Sequence, residues 1–148
     1  MIRATQIEGQ NIWQGPLAGF VELDFVGRRR RRFVMTCTNG FEFLLDLDMT
    51  PHMHHGQRMV LEDARRIEII AAQEPLIEIS ADSPAQLTEL AYHLGNRHLE
   101  AQLLDDRILI RPDHVIEDMV RGLGGTVRPV SHPFEPISGA YGSGHSHD

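Results

Sequence analysis

Histidine is the residue type in this sequence most able to do chemistry, because the chain has nine histidines and a single cysteine. Five of them fall in three places, which are residues 92–98, the start of a predicted helix, and the last four residues: His93, His98, His114, His145 and His147. An imidazole nitrogen binds nickel, copper and zinc without help from a thiolate. The pattern therefore predicts a metal site built from histidine nitrogens.

The positions of these histidines differ in how well they suit a ligand. His98 is expected on an accessible loop after a helix, and the spacing alone leaves its role open. His93 lies five positions earlier, about 140° around a 3.6-residue helix, so the two rings cannot face one ion from a regular helix. We expect His93 to pack or to form a hydrogen bond. His145 and His147 alternate along an extended segment and can turn to the same side.

Two further groups of donors leave alternatives open. His114 is expected in the first turn of the second predicted helix, either as a ligand or as a solvent-facing residue beside a cap. Residues 51–55 contain His52, His54 and His55 beside a methionine. They could form an accessory copper or nickel site, but a solvated loop is the favoured interpretation.

The first half of the chain reads as strands. Asn39 and Gly40 separate two apolar runs, which is typical of a two-residue hairpin with positive φ at both turn positions. A second hairpin is expected around residues 62–64, between residues 58–61 and 66–70. No helix is predicted before residue 83, so this half is expected to be all-β.

The second half alternates strands and helices. Ser83 and Pro84 are typical of a helix start, and Gly95 is the expected left-handed stop. The expected order is strand 76–79, this helix, strands 101–104 and 107–110, a helix capped by Asp113, and strand 126–130. That order is βαββαβ, the ferredoxin-like arrangement.

The predicted fold class is α+β, in three parts. Residues 1–73 form a β-rich N-terminal domain, and residues 74–131 form a ferredoxin-like metal-binding domain. Residues 132–148 form a flexible tail that carries histidines, because proline and glycine are too frequent there for regular structure.

Composition excludes several classes of protein. With 41% hydrophobic and 24% charged residues, the chain reads as globular. A formal net charge of −7 argues against a general affinity for nucleic acid or anionic membranes. Cys37 is the single cysteine, so neither an intramolecular disulfide nor a CxxC site is possible. No apolar run approaches the ~18 residues of a spanning helix and no signal segment is evident, so we expect a cytoplasmic protein.

Three separated motifs resemble one known family. They are residues 92–98, residues 112–119 and residues 133–136, the last followed by residues 139–141 and a histidine-bearing end. In this order and spacing they look like urease accessory protein E, a nickel metallochaperone family. Residues 60–63 and 66–69 are similar to the second hairpin of that family.

The resemblance implies that residues 1–73 are a domain of a peptide-binding or partner-binding type. It also implies a homodimer and a set of Ni²⁺ ligands. It implies that His98 meets its twofold mate to supply a shared nickel site, which His145 and His147 then join. It assigns His114 to a secondary site, although Pro112 stands where some members carry another histidine. Zn²⁺ or Cu²⁺ could substitute in vitro.

The resemblance also implies a role and partners. The protein would be a chaperone for nickel insertion, not an enzyme, and its partners would be the urease accessory GTPase and the urease apoprotein complex. No nucleic acid or membrane partner is expected.

Two other functions have some support in the sequence. An RNA-binding module could use a ferredoxin-like domain and the five arginines at residues 28–32, but a solvated hairpin connection is the favoured role of that run. A small hydrolase could use His114 with Asp113 or Asp118. No nucleophile or oxyanion cradle accompanies them.

Overall fold

The computed structural model of the protein describes residues 1–10 and 15–137. The chain divides into two compact units, of which the first is Met1–Ala72 and the second begins at Gln73. The first unit consists of strands and one short helix, and the second combines two longer helices with a sheet. The predicted mixed α+β class is confirmed.

The first unit is built on a six-stranded sheet. Its strands are β1 Arg3–Glu8, β2 Leu17–Leu23, β3 Arg32–Thr36, β4 Glu42–Asp46, β5 Arg58–Leu61 and β6 Arg66–Ala71, in the order β2-β6-β5-β1-β4-β3. The β1/β4 and β2/β6 pairs are parallel, and the other three are antiparallel. Alternate residues of the strands, such as Phe43 and Leu45, enter one apolar core.

Both predicted hairpins are present, but the first has a different turn. β3 pairs with β4 from Arg32 and Asp46 to Thr36 and Glu42. The N–H of Gly40 donates to Cys37 O, and Gly40 has φ +88° whereas Asn39 does not have positive φ. A type I turn followed by a left-handed glycine therefore replaces the expected two-residue turn.

The second unit has a four-stranded antiparallel sheet and two helices. In chain order these are β7 Gln73–Ser80, α1 Pro84–Asn96, β8 Gln102–Leu103, β9 Ile108–Ile110, α2 His114–Gly122 and β10 Thr126–Pro133. The sheet order is β10-β7-β9-β8. Ile79 and Ile110 of the sheet share one buried cluster with Leu90 of α1 and Val120 of α2. One core thus holds both helices and the sheet.

The expected left-handed stop at Gly95 is wrong. α1 continues through Asn96, and the residue with positive φ is His98, at +56°. The N–H groups of Arg97 and His98 donate to the carbonyl groups of Leu94 and Gly95. These bonds span three residues and tighten the last turn, which moves the left-handed position past the glycine.

Regular structure does not end at residue 131, contrary to the expectation from the glycine and proline content. β10 extends through Pro133, which pairs with Gln73, and Phe134 is fully buried. The long antiparallel pairing with β7 outweighs the local composition. Residues 138–148 lie outside the described residues.

The arginines at 28–32 are not a solvated hairpin connection. β2 and β3 do not pair with each other but with β6 and β4, and Gly27–Arg29 form a short 3-10 helix between them. Arg28 is only 2% exposed, and its guanidinium donates to the carbonyl groups of Leu23 and Met53. The run supplies internal hydrogen bonds as well as surface charge.

Candidate metal site

His98 lies on the turn that follows α1. His98 is exposed. Its backbone is left-handed and is fixed by a 3.0 Å hydrogen bond from its N–H to Gly95 O. Histidine is one of the few residue types besides glycine that is enriched in this conformation. The loop therefore presents the residue at a defined place on the surface.

A shallow concavity lies beside His98. Its walls are residues 98–100 from the α1–β8 connection and residues 111–113 from the β9–α2 connection. Glu100 and Arg111 join the two walls by an ion pair of 3.0 Å. The structure thus brings the His98 loop next to the start of α2, two regions that are separated in the sequence.

His114 is the first residue of α2 and is exposed, as predicted. Asp113 caps the helix, because its Oδ1 accepts hydrogen bonds from the N–H groups of Val115 and Ile116 at 3.0 and 3.2 Å. The N–H of Asp113 donates in turn to the carboxylate of Glu117. These bonds fix the backbone on which His114 stands.

Two other histidines of this unit are half-buried. The ring of His93 contacts the Tyr92 ring edge-on, with centroids 5.7 Å apart, which is consistent with the expected packing role. His132, which the sequence analysis did not single out, lies in β10, and its Nδ1–H donates to Pro133 O at 2.6 Å. A single histidine between prolines gives no sequence signal of that bond.

The histidines of residues 51–55 do not share their loop with an accessible thioether. Met53 is 3% exposed and belongs to the core of the first unit. Nδ1 of His55 accepts a hydrogen bond of 3.1 Å from the N–H of Ala71. This arrangement agrees with a structural loop better than with an accessory copper or nickel site.

Cys37 does not offer a thiolate ligand. Its side chain is buried in the first unit, and burial raises the pKa of the thiol. The ionised form that binds metals is therefore disfavoured.

Within residues 1–10 and 15–137, no three histidine, cysteine, aspartate or glutamate side chains converge as a metal-binding group. His98 and His114 lie in the same unit: His98 is on one of the two connections that approach each other, and His114 begins the helix that follows the other. The predicted ligands His145 and His147 lie outside the described residues.

The route of the chain after β10 leads to the His98 loop. The N–H of Ile137 donates to Ala101 O at 3.0 Å, and the N–H of Glu135 donates to Oε1 of Gln102 at 2.9 Å. Ala101 is three residues from His98. At Ile137 the chain therefore contacts a residue that is three positions from His98.

Comparison with known proteins decides the family. The model of the "UreE urease accessory protein, N-terminal domain" matches residues 3–72, and that of the "UreE urease accessory protein, C-terminal domain" matches residues 74–148. This chain belongs to the UreE urease accessory protein family. The two family domains meet at the point where the structure divides into its two units.

Individual UreE relatives cover nearly the whole chain. "Urease accessory protein UreE" of Rhodopseudomonas palustris (strain HaA2) is 50% identical over 98% of this chain and 67% of its own length. The protein of the same name from Bradyrhizobium sp. (strain ORS 278) is 51% identical over 99% of this chain and 70% of its own length. That of Chelativorans sp. (strain BNC1) is 49% identical over 100% and 91%.

Membership in the UreE family gives the chain an accessory role in urease maturation. The prediction that it is not itself an enzyme is confirmed by this membership. The alternative of an RNA-binding module is not supported, and the burial of Arg28 removes part of the basic surface it required. Among the described helices, none is long and apolar enough to cross a membrane.

Proposed function

We propose that this protein carries Ni²⁺ as cargo and donates it during assembly of the urease active site. The proposed site forms where two copies meet, in the ferredoxin-like domain whose sheet order supports that assignment. Each copy contributes His98, and a tail histidine, His145 or His147, completes the shell with water. His114 provides a secondary site. Imidazole ligands suit nickel and leave selectivity over zinc and copper to availability and delivery.

The observation that carries this proposal is the arrival of Ile137 beside the His98 loop. His145 is eight residues from Ile137, a length of chain that can extend by roughly 28 Å. As a flexible segment it would span about 16 Å on average, which exceeds the roughly 11 Å that the three residues from Ala101 back to His98 can span at most. The tail histidines are thus within reach of the candidate ligand.

Exposed apolar side chains on the same unit support an interface between two copies. Tyr92 on α1 and Val115 on α2 are each 67% exposed. Tyr92 lies on the helix that precedes the His98 turn and Val115 directly follows His114, so exposed apolar side chains accompany both candidate ligands, as they would at a surface that a partner covers. Burying them in a homodimer would exclude water from the edges of the shared site.

The loosely assembled ligand set supports transport of the ion over catalysis with it. A catalytic metal site needs rigid ligands and an oriented outer shell around an open position. One loop histidine from each copy and a tail histidine give a site that can release its ion. The proposed partners, a GTPase and the urease apoprotein complex, would receive it; a cytoplasmic location is part of the same proposal.

Calorimetric titration with Ni²⁺ tests the site, with the mass of the protein in solution measured alongside. His98→Asn removes the imidazole while asparagine tolerates the left-handed backbone, so the fold should persist. We expect its tightest nickel affinity to fall at least about tenfold, or about 1.4 kcal/mol. His52→Asn, at an exposed histidine of the first unit, is the matched control and should change nothing.

Two results would refute the proposal. One is an unchanged nickel affinity in His98→Asn. The other is a nickel-saturated protein whose mass is that of one chain, because the shared site needs two copies.

A further inference from the structure

The segment of residues 134–137 joins opposite edges of the second sheet. It leaves β10, which is one edge strand, and reaches Ala101, which directly precedes β8 at the other edge. We infer that this crossing segment is a positioning device for the metal site. It fixes the start of the chain that carries His145 and His147, and it rests on the function proposed above.

Three contacts hold the crossing segment in place. The Phe134 side chain is 0% exposed. The N–H of Glu135 donates to the side-chain Oε1 of Gln102, and the N–H of Ile137 donates to the backbone O of Ala101. Phe134 anchors the segment by burial, and Gln102 anchors it by a hydrogen bond, so both are positioning residues without being ligands.

Releasing the segment would move the origin of the tail across the sheet. The last fixed residue would then be Pro133 in β10, on the edge opposite the His98 loop. The tail would have to span the width of the sheet with four additional mobile residues. A longer and more distant tether lowers the effective concentration of its histidines at the site. The crossing segment thus raises nickel affinity without contacting the ion.

A double-mutant cycle on nickel binding separates positioning from general damage. The four proteins are the full chain, Phe134→Ala, a chain ending at residue 137, and the combination of both changes. We expect Phe134→Ala to weaken nickel binding about twofold or more, because lengthening the tether to His145 from eight to twelve residues lowers its effective concentration by roughly the 3/2 power of its length. In the shortened chain the same substitution should have no effect on nickel affinity, because there is no tail left to position.

A milder pair of variants guards against loss of the fold. Gln102→Met keeps the length of the side chain and removes the acceptor for Glu135. Its matched control is Gln86→Met, since Gln86 is also half-buried and its Oε1 also accepts a backbone N–H, from Asp82 at 3.0 Å. Gln102→Met should weaken nickel binding in the full chain only, and Gln86→Met should not weaken it.

A measurement on the metal-free protein tests the position of the tail without relying on nickel binding. A spin label on Ser143→Cys should broaden the amide signals of residues 99–102 in the apoprotein, because the tail begins beside them. Phe134→Ala and Gln102→Met should reduce that broadening, and Gln86→Met should preserve it. Buried Cys37 should label slowly, which keeps the label specific.

The outcomes are distinguishable from failure of the proposed function. Equal weakening by Phe134→Ala in the full and the shortened chain would overturn the positioning role, as would broadening that is the same in all variants. If His98→Asn leaves nickel binding unchanged while the broadening responds as expected, the segment positions the tail but the assigned site is wrong.

Discussion

The two histidine-bearing loops of this molecule are held in opposite ways. In the first unit, the loop of residues 51–55 turns its methionine into the core, and His55 Nδ1 accepts the N–H of Ala71. In the second unit, the backbone of His98 is what the structure fixes, through a bond from its own N–H and a left-handed φ. In one loop a ring helps to hold the fold, and in the other the fold holds a histidine at the surface.

This difference shows why counting histidines does not locate a metal site. Residues 51–55 have the higher local density of donors in the sequence, yet the structure uses part of that set internally. How the backbone presents each ring matters more than how many donors lie close together in the sequence. Three experiments test whether the two units differ in this way.

The largest expected effect is that of Arg28→Met. The guanidinium of Arg28 donates to Leu23 O and Met53 O, and the N–H of Met53 donates back to Arg28 O. Losing a buried donor leaves carbonyl groups unpaired, so we expect the free energy of unfolding to fall by about 2–4 kcal/mol. Urea denaturation measures it.

The matched control for that experiment is Arg30→Met. Arg30 is exposed, and its guanidinium stacks 4.0 Å from the centre of the Phe33 ring, a contact worth about 0.5–1 kcal/mol at exposed sites. Nickel affinity under folding conditions should be the same in both variants. A loss of nickel binding in Arg28→Met alone would contradict a purely structural role for the loop of residues 51–55.

A smaller effect is expected from substitutions of Asp113, which test whether this residue only caps α2 or also binds nickel. Asp113→Ala removes the cap of α2 and should cost about 1 kcal/mol of stability, whereas Asp113→Asn keeps a capping oxygen and should cost less. Neither should change the tightest nickel affinity. Weaker nickel binding in Asp113→Asn would show instead that the carboxylate is a ligand.

The smallest expected effect is a loss of stability of the first unit in acid. The backbone N–H of Arg3, followed by its guanidinium, holds the pKa of Glu62 below its ordinary value, and the guanidinium does the same for Asp46. Because these folded-state pKa values are lowered, the stabilisation is complete above the unfolded pKa of about 4.3 for Glu. It is lost as the pH falls through the folded pKa.

Glu62→Gln measures this contribution. The advantage of the unmodified chain over Glu62→Gln in urea midpoint should be present at about pH 6 and vanish in strong acid, where both side chains are neutral. An advantage that persists in strong acid would mean that the Glu62 side chain stabilises the fold by its shape and not by its charge. The second unit should be unaffected, which residue-resolved hydrogen exchange can show.

Local signals made much of the fold predictable from the sequence. Ser83 accepts the N–H of Gln86 and Asp113 accepts two N–H groups, so both helices start where capping chemistry placed them. The second hairpin turns at Ala64, inside the predicted residues 62–64. Caps and turns involve neighbouring residues, and their physics is visible in a short window.

Features that depend on distant partners were missed. The acceptors of Arg28 are Leu23 and Met53, the latter 25 residues away, and nothing in a run of five arginines indicates which one is buried. The crossing segment contacts Ala101 and Gln102 from more than thirty positions along the chain. For His98, the choice between ligand and bystander stays a prediction, because its expected partners are a second copy and the tail.

The parallel pairing of β2 with β6 has a consequence for the order of folding. In the described part of the chain β2 pairs with no other strand, and its residues Leu17–Leu23 lie nearly fifty positions before their partners. The entropy cost of closing so long a loop is incurred before the contacts between the two strands can stabilise it. Such pairings therefore slow folding. During synthesis β2 must therefore wait for its strand partner until nearly the entire first unit has been made.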